Sequence, residues 1–95
     1  MAKILKIKIT DPKGLHARPA ALLVSTAGKF DSKLTIKSEN GTEGDLKSIM
    51  NILSIGITVN TNIEIIADGS DEADAIVEIK KLFIDNELST EENIK

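Results

Sequence analysis

The chain has 95 residues, 41% of them apolar, with no cysteine, tryptophan or tyrosine, and its 12 basic and 15 acidic side chains leave a net charge of -3. That length closes one modest core and no second one, while mixed charges without a basic run argue against nucleic acid or an anionic membrane surface as a partner. Without thiols and with one histidine, disulfides, thiolate chemistry and a zinc site are excluded, and with no apolar run of membrane length and no signal segment a cytoplasmic protein without membrane insertion is expected.

Residues 3–10 place Leu5, Ile7 and Ile9 on one side and Lys6, Lys8 and Thr10 on the other, the period of two of a strand with one buried face. Asp11-Pro12-Lys13-Gly14 then reads as a turn. From Ala17 the period lengthens: Ala20, Leu23, Val24 and Ala27 fall three or four apart, predicting a helix of about three turns that Gly28 ends as a C-terminal cap, with Phe30 plugging the corner beyond it. Leu34 to Ser38 alternates again, and Asn40-Gly41 predicts a hairpin pairing residues 33–39 with 42–45, the second strand polar enough for a sheet edge.

Leu46, Ile49, Met50 and Leu53 return to helical spacing, giving a short helix that starts near Ser48 and stops at Gly56. Residues 61–67 form a strand with Ile63, Ile65 and Ala67 on one face and Glu64 and Ile66 on the other, apolar enough for the middle of the sheet. After the Asp68-Gly69-Ser70-Asp71 turn, Ser70 or Asp71 caps a third helix whose core face is expected to hold Ala73, Ile76, Ile79, the stem of Lys80 and Phe83. From Asn86 the sequence is polar without period, so residues 89–95 are expected to form a flexible tail beyond a single domain over 1–88. The order strand, helix, strand, strand, helix, strand, helix implies an α+β protein with one layer of helices on an antiparallel sheet whose other face meets water.

The chemistry concentrates in Gly14-Leu15-His16-Ala17-Arg18-Pro19-Ala20, which holds the only histidine and the only arginine of the chain. Where every other base is lysine, a retained arginine points to a planar grip on phosphate or carboxylate. A helix beginning at Ala17 makes His16 its cap residue and leaves the amides of Ala17 and Arg18 without partners inside the helix. Pro19 brings no N–H, so those two are the available donors. The positive end of a helix favours an attached anion, and a ring nitrogen beside two amides and an arginine suits a group that takes up a phosphoryl group and hands it on. The bland alternative is an ordinary cap histidine beside a surface arginine. No glycine-rich phosphate loop, hydrolase triad or metal-ligand set accompanies the pair, and no cofactor is implied.

With Leu46-Lys47-Ser48-Ile49-Met50 about thirty residues further on, and the Ala67-Asp68-Gly69-Ser70-Asp71-Glu72 turn, the chain resembles the HPr phosphocarrier family of the bacterial sugar phosphotransferase system. The resemblance implies an open-faced β-sandwich of four antiparallel strands covered on one face by three helices. It implies a carrier rather than an enzyme: His16 accepts a phosphoryl group from phosphorylated enzyme I, ultimately from phosphoenolpyruvate, as a covalent phosphohistidine and passes it to the A domains of sugar permeases. Arg18 would steady that group. Ser48 would be the regulatory phosphorylation site, met by a kinase and phosphatase and read by a catabolite-control transcription factor. Partner docking on the first two helices points to Ala17, Arg18, Ala21, Ile49, Met50 and Leu53, and a monomer is expected. Helical spacing alone also makes Met50 and Leu53 core candidates, so exposure of Ile49 or Met50 discriminates between the two readings. The alternatives are a regulatory module acting mainly through phosphorylated Ser48 and a paralogue serving the nitrogen-related branch. The sequence departs from the family in Asn60-Thr61-Asn62, which lacks the glycine often found in that turn, and in its longer, more acidic tail.

Overall fold

A computed structural model describes residues 2–95. Four strands, β1 (Lys3–Lys8), β2 (Lys33–Ser38), β3 (Glu43–Asp45) and β4 (Asn62–Asp68), form one antiparallel sheet in the order β1-β4-β2-β3. The most apolar strand, β4, therefore takes a central place and the polar β3 an edge, as their compositions require. Register follows the pleat: Ile7 pairs with Ile63, and Ile36 with Ile65. On the uncovered face the row Lys6, Glu64, Lys37, Glu43 crosses all four strands with alternating charge, which favours this register because a slip would break up the row of opposite-charge neighbours.

Helices α1 (Ala17–Ala27), α2 (Ile49–Ile55) and α3 (Glu72–Asp85) cover the other face. The core lies between the layers: Leu5, Ile7, Leu34, Ile36, Ile63 and Ile65 from the sheet meet Ala20, Leu23 and Ala27 of α1, Ile52 of α2, and Ala75, Ile79 and Phe83 of α3. Each fully buried Ile, Leu or Phe stabilises the fold by about 1.5–3 kcal/mol. Phe30 packs against the edge of that cluster. The small inward face of α1 lies over the core beside both α2 and α3. Asn40-Gly41 turns the β2–β3 hairpin, with Gly41 at φ 91° and its N–H donating to the Ser38 carbonyl at 2.9 Å.

Several expectations change. In α3 it is Ala75 that is buried, while Ala73 faces solvent, because Ala75, Ile79 and Phe83 stack four apart and set the inward stripe. The stem of Lys80 is only partly covered, and its Nζ lies 4.0 Å from Glu91, an exposed pair worth little. In α2 the inward residue is Ile52, fully buried, whereas Met50 is 71% exposed. Gly28 ends α1 at φ -63° in the right-handed region, so it serves without the left-handed conformation that favours glycine at such ends. Asn60 adopts that conformation instead, at φ 68° in the turn before β4, which is how the segment manages without glycine.

The last residues differ most from the expected flexible tail. After α3 the chain turns at Glu87, buries Leu88 and Ser89, passes through a 3-10 turn at Glu91–Asn93 and lays Ile94 against Ile7 of β1. Two apolar side chains, Leu88 and Ile94, among polar neighbours are too sparse to show a period, yet they suffice to anchor the segment. Among the described residues no helix is long and apolar enough to cross a membrane.

Candidate functional site

His16 sits at the cap of α1 in extended conformation (φ -88°, ψ -169°), and its side chain makes no capping hydrogen bond. Its carbonyl accepts from the Ala20 amide at 3.1 Å, closing the first helical turn. Ala17, Arg18 and Pro19 thus occupy the first three helical positions. With Pro19 lacking an N–H, the amides of Ala17 and Arg18 point out of the helix end, as the sequence suggested.

The loop before His16 is held from two sides. The Asp11 carbonyl accepts from the Gly14 amide at 2.9 Å and the Asp11 carboxylate from the Lys13 amide at 3.0 Å, fixing the turn, while the Leu15 amide donates to the Ile57 carbonyl at 3.0 Å. Gly14 adopts φ 63°, and a Cβ there would lie 2.3 Å from that same carbonyl oxygen. Only glycine lets the loop pass this close to residues 57–58. Sequence reasoning read Gly14 as a turn residue and missed this contact, which depends on a partner more than forty residues away.

Arg18 is exposed and lines a polar depression of about 380 Å³ with Asp11, Pro12, Asp85, Asn86 and Glu87. Among the described residues no carboxylate lies within ion-pair distance of its guanidinium, so the side chain is drawn toward the acidic end of α3 without being locked there. These three acids were not among the candidate residues. They come from both ends of the chain and carry no local signal.

Ser48 caps α2, also in extended conformation (φ -120°, ψ 114°), and here the hydroxyl is engaged: Ser48 Oγ accepts from the Asn51 amide at 3.2 Å. The Asn51 side chain reaches back to accept from the Asp45 amide at 2.9 Å, and the Asp45 carboxylate accepts from the Lys47 amide at 2.9 Å. Lys47 Nζ donates to the Phe30 carbonyl at 2.7 Å, linking the start of α2 to the corner after α1.

The two helices touch and leave apolar side chains in solvent: Leu22 (40% exposed) on α1, Met50 and Leu53 (38%) on α2. Ala17, Arg18 and Ala21 are exposed beside them, and Ile49 is half-buried against the core. Leu22 was not singled out. The signal was its place one turn beyond Arg18, off the Ala20-Leu23-Ala27 stripe.

The family model described as "PTS HPr component phosphorylation site" matches residues 5–85. The chain is 49% identical over 80 residues to the phosphocarrier protein HPr of Mycoplasma genitalium, covering 84% of this chain and 91% of that protein. It is 50% identical over 88 residues to the HPr of Mycoplasma capricolum, covering 93% and 97%. Among solved structures, a histidine-containing phosphocarrier protein of Mycoplasma superposes with a TM-score of 0.88 at 45% identity, covering 92% of this chain and 98% of that one. The HPr of Bacillus anthracis gives 0.78 at 32%, covering 85% and 95%. Matches of this extent, on a chain whose histidine stands at an open helix end, establish that the protein belongs to the HPr family of phosphocarriers of the phosphotransferase system.

Proposed function

We infer that this chain carries a phosphoryl group covalently on a ring nitrogen of His16. It receives the group from phosphorylated enzyme I and yields it to a histidine on the A domains of sugar permeases. The observation that carries this reading is the uncapped start of α1: the His16 side chain is not spent on capping, and the Ala17 and Arg18 amides stand ready for an anion. In the first transfer the imidazole nitrogen attacks phosphorus as the phosphorus–nitrogen bond to the donor histidine breaks. The second transfer repeats this with His16 as leaving group. The helix end and the Arg18 guanidinium offset the charge that arrives. No sugar or nucleotide enters these steps, so a carrier with an open site suits them better than a closed catalytic cavity.

Leu22, Met50 and Leu53, with Ala17, Arg18, Ala21 and Ile49 around them, form the surface on which partners dock. Solvent-facing apolar side chains beside the reacting group favour that use over a place in the core. Ser48 is the regulatory site, acted on by a kinase and phosphatase and read by a catabolite-control transcription factor. A phosphate there is compatible with the start of α2 and adds about two negative charges beside Met50. These partners place the protein in the cytoplasm.

Incubation with phosphoenolpyruvate and enzyme I tests the reading. The expected product is an acid-labile, base-stable phosphate on His16, absent from His16→Ala. A wild-type chain left unlabelled by competent enzyme I would overturn it.

A further inference from the structure

We propose that the segment after α3 guards the free edge of β1 against pairing with a second copy of this chain. β1 is an edge strand, with β4 on one side only. Alternate residues of such a strand turn their backbone groups outward, and on β1 and its extension these include Lys6, Lys8 and Thr10. The terminal segment takes up these groups one after another. The Leu88 carbonyl accepts from the Thr10 amide at 3.0 Å and from Asp11 at 3.3 Å, and Ser89 Oγ donates to the Lys8 carbonyl at 2.6 Å. The Lys95 amide donates to the Lys6 carbonyl at 2.7 Å and the Lys6 amide to the Lys95 carbonyl at 3.3 Å. Ile94, only 6% exposed, fills the space beside Ile7. What the segment leaves without a partner is the Lys8 amide and the short stretch before Lys6, too little to hold a neighbouring strand.

With the segment lifted, residues 3–10 would present a continuous row of donors and acceptors to an identical row related by a two-fold axis, the isologous geometry of an antiparallel pair. Lys6 and Lys8 provide a second guard, because antiparallel pairing of two β1 edges brings these lysines together on the uncovered face. The dimer needs both edges bare. A tenfold bias toward the docked segment therefore weakens association roughly a hundredfold. Screening of the lysines acts in the other direction, so salt strengthens the dimer.

The test uses the full chain with Ile94→Asp, which loosens the segment without shortening it. Sedimentation should show the wild type as a monomer with its Lys6 amide protected from hydrogen exchange at every concentration. The variant should associate at least tenfold more tightly than wild type, more so in high salt, with the Lys6 amide unprotected when dilute and protected in the dimer. Should Ile94→Asp lose its fold by circular dichroism, Lys95→Pro removes the donor to the Lys6 carbonyl while keeping Ile94, and the same readings apply. A loosened variant that stays monomeric at millimolar concentration overturns the proposal. So does a dimer whose Lys6 amide exchanges freely, or a wild type in which that amide is unprotected.

Discussion

The starts of α1 and α2 are built alike and used differently. Each helix begins after a polar residue in extended conformation, and each sits at the end of a loop tied down by backbone hydrogen bonds. At α2 the cap hydroxyl of Ser48 closes the end by accepting from Asn51. At α1 the His16 side chain caps nothing, and Pro19 leaves two amides unanswered. A capped end contributes to stability; an uncapped end in a well-packed frame is free to meet a transient anion. The difference teaches that the residue proposed to react is marked by what it does not do for its own helix.

The largest expected effect that would break this comparison is at His16. His16→Ala should abolish phosphoryl transfer while leaving stability within about 0.5 kcal/mol, as for a surface residue without packing or capping duties. Enzyme I labelling and urea unfolding measure the two halves. A marked loss of stability would mean that His16 supports the helix end after all.

Gly14→Ala should cost about 2–5 kcal/mol, combining a left-handed conformation that L side chains resist with a methyl group forced into the Ile57 carbonyl. In chain that still folds, transfer should fall as well, because the loop that delivers His16 must move. Unchanged urea midpoints would show that the approach to residues 57–58 does not fix the loop. Arg18→Lys comes next. A lysine keeps the charge but loses the planar fork, and transfer should slow about tenfold with stability unchanged. Stopped-flow phosphorylation at matched concentrations reads this directly, and equal rates would reduce Arg18 to a generic charge.

Ser48→Ala should do the reverse of His16→Ala: a loss of about 1 kcal/mol from the missing cap, with His16 labelling by enzyme I retained. The two variants together form a crossed test, since each is expected to move the quantity that the other leaves alone.

The same contrast explains what could be read in advance. Strand alternation in residues 3–10 and 61–67, the Asn40-Gly41 turn and the caps at His16 and Ser48 are local signals, and the structure keeps them. What could not be read depends on distant partners. The seven-residue α2 offers two apolar faces of equal plausibility, Met50 with Leu53 or Ile52, and only the position of the sheet decides between them. Ala73 and Ala75 are equivalent until Ile79 and Phe83 settle into the core. Leu88 and Ile94 are isolated apolar residues in a polar tail, and their role appears only when β1 lies alongside. His16 and Arg18 drew attention in the sequence because they are unique, and the structure sets both at the start of α1, whereas Gly14's contact, Leu22 and the acids around Arg18 did not.

A third helix start sharpens the comparison. Asp71 holds the cap position of α3 but does not cap it. Its carboxylate turns to the corner between α1 and β2, accepting from the Asp31 amide at 2.8 Å, the Ser32 amide at 3.0 Å and the Ser32 hydroxyl. The Ser32 hydroxyl first, then the Asp31 amide, hold this carboxyl below the ordinary aspartate value. A carboxylate whose native value is depressed adds stability that is fully present above the unfolded-state value near pH 4. That stability is lost as the pH falls through the lower native value, where both states become protonated. Asp71→Asn cannot satisfy three donors with one amide oxygen, so it should lower the urea midpoint at pH 7. The gap to wild type should narrow as the pH falls below about 4 and the wild type loses its own charge. The loss should be smaller than that of Gly14→Ala or Ser48→Ala, because the group is partly open to water. A gap that stays constant across that range would show that Asp71 acts through shape rather than charge. The clamp would then resemble the α2 start, a neutral structural tie, more than the open end of α1.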